Sequence, residues 1–213
     1  MRTATISLFL GLMVLLQGLQ KAQADENFAL IVIAADQSES MFESDHIEIV
    51  REALITAFAN YVVDCNKLQV DYIAWGGSVE KPLSTRLTDQ EAVADYAIAL
   101  WPESHKMLQT TDHSLGIYAS VRQFNASKAS KKVLVFITDG VSNETRNFNL
   151  EQIIPADVIV YSISLGPADV STFVVDNIQP TTGGVHFHAN NTDQFIESIE
   201  GAFAAAKSDL CLS

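Results

Sequence analysis

Short, largely apolar runs alternate along this chain with longer segments whose apolar residues recur at helical spacing. Leu30–Ala35 is apolar throughout, and the other strand-like runs are Leu68–Trp75, Val133–Thr138 and Val158–Ser164. Strands that are apolar at every position are buried on both faces, which is typical of parallel sheets. Strands that alternate with helices pack into such a sheet with the helices covering it. The pattern therefore predicts an α/β fold, with a mostly parallel sheet and helices on both faces.

The other elements follow from the same periodicities. Gly76-Gly77 predicts a turn into a short antiparallel edge strand at Val79–Leu83, and Thr88 with Glu91 has the spacing of a capping box. The remaining predicted elements are helices at Asp45–Val63, Thr88–Leu100, Ser114–Phe124, Ala168–Asn177 and Thr192–Ala206, and a last strand at Val185–His188.

The first 24 residues have the pattern of a secretory signal peptide. Arg2 provides a positive start, Ile6–Leu16 is almost wholly apolar, and Ala22-Gln23-Ala24 is a small-x-small cleavage site. We expect cleavage before Asp25, residues 25–213 to form one domain, and the protein to be secreted or periplasmic. An uncleaved anchor is the alternative, and no later segment is long enough to span a membrane.

The charge of the chain is strongly negative. It has 13 Lys and Arg against 26 Asp and Glu, for a formal net charge of −13. Such a surface disfavours nucleic acid and anionic membranes as partners and favours cations. An acidic exported protein that is merely soluble explains the charge equally well.

Five oxygen-bearing side chains stand where strands or loops reach one predicted edge of the sheet. Asp36, Ser38 and Ser40 follow the first strand, Asp139 follows "VLVFIT", and Thr111 lies in the polar loop before a helix. Sites in open α/β sheets lie beyond the carboxyl ends of the strands. Hydroxyl and carboxylate oxygens suit Mg²⁺, Mn²⁺ or Ca²⁺ better than zinc or copper. The alternative is that Asp36 and Ser38 only cap the first helix.

At these residues the sequence resembles the von Willebrand factor A (vWA) domain family. "DQSES" is similar to the family's D-x-S-x-S, "ITDG" to its strand-ending aspartate, and Thr111 to its downstream threonine, with Thr110 as the competing choice. The resemblance implies a doubly wound six-stranded sheet of order 3-2-1-4-5-6 with one antiparallel edge strand. It also implies a metal-ion-dependent adhesion site that grips an acidic residue of a protein or matrix partner. A bacterial exported vWA subfamily of unassigned function is the finer match.

Two departures from the family pattern concern this site. Glu39 stands where a small residue is usual, and Leu108-Gln109-Thr110 replaces a common Gly-Gly before the threonine. A scaffold domain whose metal site is occupied from within by Glu39 is therefore an alternative function. A metal-dependent hydrolase is another, but Ser38 stands where a haloacid-dehalogenase-type enzyme needs a second acid. Neither a G-x-S-x-G elbow nor a P-loop is present, and we expect no enzyme.

The remaining candidate functional residues are two cysteines, three histidines and three N-glycosylation triplets. In the family fold the first and last helices are neighbours, which implies a Cys65–Cys211 disulfide, with two free thiols as the alternative. We expect His113 to line the rim of the metal site, and His186 and His188 to be packed or surface residues that share one face of a strand. The N-glycosylation triplets begin at Asn125, Asn143 and Asn190 and depend on a eukaryotic host.

Overall fold

The computed structural model describes residues 28–43, 46–62, 65, 67–103, 107–141, 153–178 and 183–211. The expected signal peptide at residues 1–24 and the triplet at Asn143 lie outside these residues.

A single six-stranded sheet organises the described residues, in the order β3-β2-β1-β4-β5-β6. Every neighbouring pair is parallel except β2 and β3, which are antiparallel. The predicted fold class and strand order are confirmed. The strands are β1 (Ala29–Asp36), β2 (Leu68–Trp75), β3 (Leu83–Leu87), β4 (Lys131–Thr138), β5 (Val158–Leu165) and β6 (His186–Ala189).

Helices cover both faces of this sheet. They are α1 (Glu39–Glu43), α2 (His46–Ala57), α3 (Gln90–Glu103), α4 (His113–Ala126), α5 (Ala168–Asn177) and α6 (Thr192–Leu210), and α2 continues into a π-helical turn at Phe58–Val62. Alternate residues of each strand point to opposite faces. In β1, Ile31 and Ile33 therefore pack with α2, α3 and α6, and Leu30 and Val32 pack with α4 and α5.

Two predictions at and directly after the antiparallel edge strand were wrong. The edge strand is Leu83–Leu87, and Val79 forms only an isolated bridge with Trp75. The cap of α3 is Asp89, whose Oδ1 accepts a 2.9 Å hydrogen bond from the Ala92 amide. Thr88 only donates to the Asp89 carboxylate. A carboxylate one residue further on satisfies the free amides of the first turn better than the predicted threonine.

The two cysteines are bonded to each other. Cys65 follows the end of α2, Cys211 caps the end of α6, and the disulfide joins positions 146 residues apart. The predicted disulfide is confirmed. It lies at the amino end of the parallel strands, because β2 begins only three residues after Cys65. In the part of the chain that the structure describes, no helix is long and apolar enough to cross a membrane.

Candidate metal-binding site

Two neighbouring parallel strands bring the predicted aspartates to one edge of the sheet. Asp36 ends β1, and Asp139 follows the last residue of β4. The Ser38 amide donates to Asp36 Oδ1 at 2.8 Å, Ser38 Oγ and Ser40 Oγ are 3.2 Å apart, and Ser40 Oγ donates to Asp139 Oδ1 at 2.7 Å. Four of the five predicted residues are therefore linked by hydrogen bonds, with Asp36 joined through the backbone amide of Ser38.

Thr111 reaches the same place from the loop before α4. Its Oγ1 would lie 3.4 Å from a Cβ added to Gly140, the residue directly after Asp139. The Thr110 hydroxyl instead faces Gly77, where an added Cβ would be 2.5 Å from it. The structure thus places Thr111, and not the competing Thr110, beside Asp139.

Backbone hydrogen bonds hold the threonine loop against the loop that follows β1. The Glu39 amide donates to the Gln109 carbonyl at 2.8 Å, and the Leu108 amide donates to the Gln37 carbonyl at 2.8 Å. Gln109 has a φ of 62°, in the left-handed region that favours glycine. A glutamine therefore adopts the left-handed conformation in this loop, and Thr111 still lies beside Gly140.

Burial falls steeply from the floor of the site to its rim. Asp36 and Ser38 are 0% and 1% exposed, and Thr111 is 5% exposed. Ser40 and Glu39 are exposed. The site therefore opens to solvent at Ser40, and the Glu39 side chain extends to the outside.

Asp36 carries an electrostatic penalty. Its pKa is raised from 3.8 to about 7, mainly by burial and to a lesser degree by the nearby Asp139, while the hydrogen bonds from Thr138 and Ser38 act in the opposite direction. Within the described residues, neither aspartate pairs with a Lys or Arg. A cation bound between the two carboxylates would supply the missing positive charge.

His46 is a site residue that sequence reasoning missed. It begins α2, and its Nδ1 lies 3.1 Å from Asp139 Oδ2 with the side chain 17% exposed. Its ring also packs edge-on against Phe195 of α6. The available signal was its position, six residues after Ser40 at the start of the next helix.

Thr138 is a second missed residue. It precedes Asp139 in "ITDG", and its Oγ1 donates a 2.7 Å hydrogen bond to Asp36 Oδ2. The bond crosses from β4 to β1, so that the threonine of one strand orients the carboxylate of its neighbour.

The expectation for His113 was wrong. It does not line the rim but is 1% exposed beneath it, and burial lowers its pKa from 6.5 to about 4. Its neighbours explain this position, because α4 places the ring against Trp75 and Phe136 under the threonine loop.

His186 and His188 do share one face of β6, as expected. His186 Nδ1 contacts Ser162 Oγ at 2.8 Å, and its Nε2 contacts Ser171 Oγ at 3.0 Å. His188 Nδ1 contacts Ser164 Oγ at 3.0 Å. Each imidazole thus has a serine hydroxyl partner at the sheet edge.

The donor set fits a hard cation better than a soft one. Among the described residues, no three side chains of His, Cys, Asp or Glu are grouped so that they could hold a metal ion by themselves. Binding here would depend on the three hydroxyls together with the two aspartates. Mg²⁺ accepts such a set because it binds one or two carboxylates and keeps several waters.

Solved structures with a similar fold span widely different proteins. A von Willebrand factor type A protein from Catenulispora acidiphila has a TM-score of 0.60 at 16% identity, with 84% of this chain and 42% of that chain covered. Proximal thread matrix protein 1 from the mussel byssus, solved with a zinc-occupied MIDAS motif, has a TM-score of 0.64 at 16% identity, with 85% and 46% covered. BatB from Bacteroides thetaiotaomicron has a TM-score of 0.58 at 16% identity, with 84% and 98% covered.

These likenesses, at such identities, show the fold alone, and this chain spans less than half of the first two structures. The search of curated proteins gives no match. The family model for the von Willebrand factor type A domain matches residues 31–202, a span that runs from β1 into α6 and includes all five predicted site residues. The chain therefore belongs to the von Willebrand factor type A domain family.

Proposed function

We propose that this chain is an exported binding module that uses a divalent cation to grip an acidic residue of a protein or extracellular-matrix partner. The observation that carries the proposal is the convergence of Asp36, Ser38, Ser40, Thr111 and Asp139 at one edge of the sheet. Three separate segments supply these oxygens, and helix capping alone does not require them to meet.

The proposed ligands differ in how they would contact the ion and in how exposed they are. Ser38, Ser40 and Thr111 would bind the ion through their hydroxyls, while Asp36 and Asp139 would bind it or its waters. The exposed side at Ser40 would leave a coordination position for a carboxylate of the partner. The acidic chain, with a net charge of −13, favours a partner whose docking surface is basic around that carboxylate.

Mg²⁺ is the proposed ion, with Mn²⁺ and Ca²⁺ as alternatives. The mussel protein solved with zinc in its MIDAS motif makes Zn²⁺ a necessary comparison. Calorimetric titration of the chelator-treated protein with each of the four ions measures the preference. We expect the oxygen donors to favour Mg²⁺ or Mn²⁺ at millimolar concentrations and below.

Two variants test whether the ion binds at this site. Asp36→Ala and Ser40→Ala are expected to abolish or greatly weaken cation binding, because each removes a proposed donor. Asp176→Asn is the matched control, since Asp176 is an exposed carboxylate on α5, and it should bind as the wild type does. Unchanged binding in Asp36→Ala would disprove the site.

Partner binding is tested separately from ion binding. Immobilised acidic and amidated versions of the same peptides or matrix fragments are compared with and without chelator. We expect capture that needs both the carboxylate and the cation. Capture that persists in chelator would instead favour a scaffold surface, as in the alternative in which Glu39 occupies the metal.

We propose binding rather than catalysis, and export by cleavage before Asp25. Cation-dependent turnover in a broad phosphatase and esterase screen would contradict the proposal of binding rather than catalysis. An intact amino terminus in mass spectrometry of the exported protein would contradict the proposed cleavage.

A further inference from the structure

A buried histidine, His113, lies beneath the site and is surrounded by aromatic side chains. His113 is 1% exposed, and its ring centroid is 5.3 Å from that of Trp75, 5.6 Å from that of Phe136 and 5.0 Å from that of Phe173. An apolar side chain would fill an aromatic enclosure of this kind at lower cost.

The polar atoms of this ring are only half satisfied. Nε2 lies 3.2 Å from Thr138 Oγ1, but Nδ1 is buried and has no partner in the described part of the protein. A buried polar atom without a partner destabilises the fold. Packing alone therefore does not explain the histidine, and its side-chain hydrogen bond leads through Thr138 to the candidate site.

The chemistry of the groups sets the direction of the hydrogen bonds. Ionised Asp36 can only accept, so the Thr138 hydroxyl donates to Asp36 Oδ2 at 2.7 Å. The threonine oxygen then accepts from two donors, the Gly140 amide at 3.2 Å and His113 Nε2–H at 3.2 Å. This assignment places the imidazole hydrogen on Nε2 and leaves a bare lone pair on Nδ1, in agreement with its lack of a partner.

We propose that His113 is a positioning residue for the metal site. By donating to Thr138, it directs the threonine proton toward Asp36 and keeps that carboxylate aimed at the ion. Its role toward an ion rests on the proposed function, but the hydrogen-bonded relay from His113 through Thr138 to Asp36 is formed by the protein's own residues. Partners that orient a ligand in this way typically change metal affinity 10- to 100-fold when they are removed.

Two substitutions separate the hydrogen bond from the packing. His113→Leu removes the donor, and we expect cation affinity to fall about 10- to 100-fold. His113→Gln keeps an amide donor near the position of Nε2 and should recover most of that affinity. The unfolding midpoint of the Leu variant in chelator should not fall, since the unpaired Nδ1 is also removed.

Phe173→Leu is the matched control. It alters the same enclosure without touching a polar atom, and its cation affinity should equal that of the wild type. Wild-type affinity in His113→Leu would overturn the proposal, and so would an equal loss of affinity in Phe173→Leu and His113→Leu.

A measurement without metal keeps this proposal distinct from the proposed function. Nitrogen NMR of the chelator-treated protein at alkaline pH should show the Nε2–H tautomer of His113, and His113→Leu, but not Phe173→Leu, should shift the side-chain carboxyl carbon of Asp36. The Nδ1–H tautomer, or an Asp36 signal that does not move, would overturn the relay. If the wild type binds no cation, the proposed function fails, and these two signals alone decide whether His113 positions Asp36.

Discussion

Asp36 shows how a single residue links folding to the site. Its carboxylate is fully buried at the end of β1 and receives hydrogen bonds from Ser38 and the Thr138 hydroxyl. These bonds do not offset the loss of hydration, and the pKa remains raised at about 7. The proposed cation would neutralise this carboxylate and offset the cost of burying it.

This cost predicts an unusual pH dependence in chelator. The folded protein keeps a proton on Asp36 up to about pH 7, whereas the unfolded chain releases it near the ordinary value of 3.8. The stability from this group is therefore fully present below the unfolded value and is lost as the pH rises through the folded one. The loss is at most about 4 kcal/mol, from the usual conversion of pKa shift to free energy.

Asp36→Asn should abolish that loss because an amide does not titrate in this range. Urea unfolding of wild type and variant in chelator, measured at several pH values between these two limits, checks the difference in slope. Added cation should likewise restore wild-type stability at the upper end, since it binds only the folded state. Curves that stay parallel for wild type and Asp36→Asn would show that burial does not perturb this carboxyl.

At the scale of elements, the close packing of α4 against β2 depends on one glycine. A Cβ on Gly116 would lie 2.8 Å from ring atoms of Trp75, which is fully buried and stacked on Phe136 at a centroid distance of 5.0 Å. The absence of a side chain at Gly116 lets the helix approach β2 closely, and this approach brings the preceding Thr111 to the sheet edge.

Gly116→Ala is therefore expected to destabilise the protein despite the better helix propensity of alanine. Overpacking costs about 1–3 kcal/mol, against a gain of up to about 1 kcal/mol from propensity. Gly201→Ala in α6 is the matched control, because its Cβ would meet only the half-buried Phe187 ring at 3.2 Å. Chemical denaturation of both variants measures the change in the free energy of unfolding. An equal or greater loss of stability for Gly201→Ala would contradict the conclusion that α4 packs closely on Trp75.

At the scale of the molecule, the candidate site and the disulfide lie at opposite ends of the sheet. The oxygen site lies beyond the carboxyl ends of the strands, and the Cys65–Cys211 disulfide joins α2 to α6 at the opposite end. The bond closes a loop of 146 residues, which constrains the unfolded chain strongly.

Replacing both cysteines with alanine should lower the free energy of unfolding by about 2–5 kcal/mol. Cation affinity should not change, since neither cysteine lies near the site. Denaturation and calorimetry on the same double variant measure both quantities, and reduced wild type serves as the control. A loss of cation binding without unfolding would show that the two ends are coupled.

Much of the site could be predicted because its residues follow strand ends in recognisable order. Asp36 directly follows an apolar run and Asp139 follows one after a single threonine, and parallel strands bring such ends together. The antiparallel edge strand Leu83–Leu87 was harder to predict, because only one of its faces is covered and its burial alternates. His113 was misjudged for a related reason: a polar residue next to a polar loop looks exposed unless the packing of α4 is known.

By itself, the sequence determined which segments become strands and helices, and it determined that hydroxyls and carboxylates stand at strand ends, because both properties are local and periodic. Only the tertiary structure decided that His46 meets Asp139 across 93 positions and that Thr138 bonds to Asp36 across 102. The same is true of His113, which lies under the site and not on its rim. These contacts depend on the register between strands and on how closely each helix approaches the sheet, and distant parts of the chain set both quantities together.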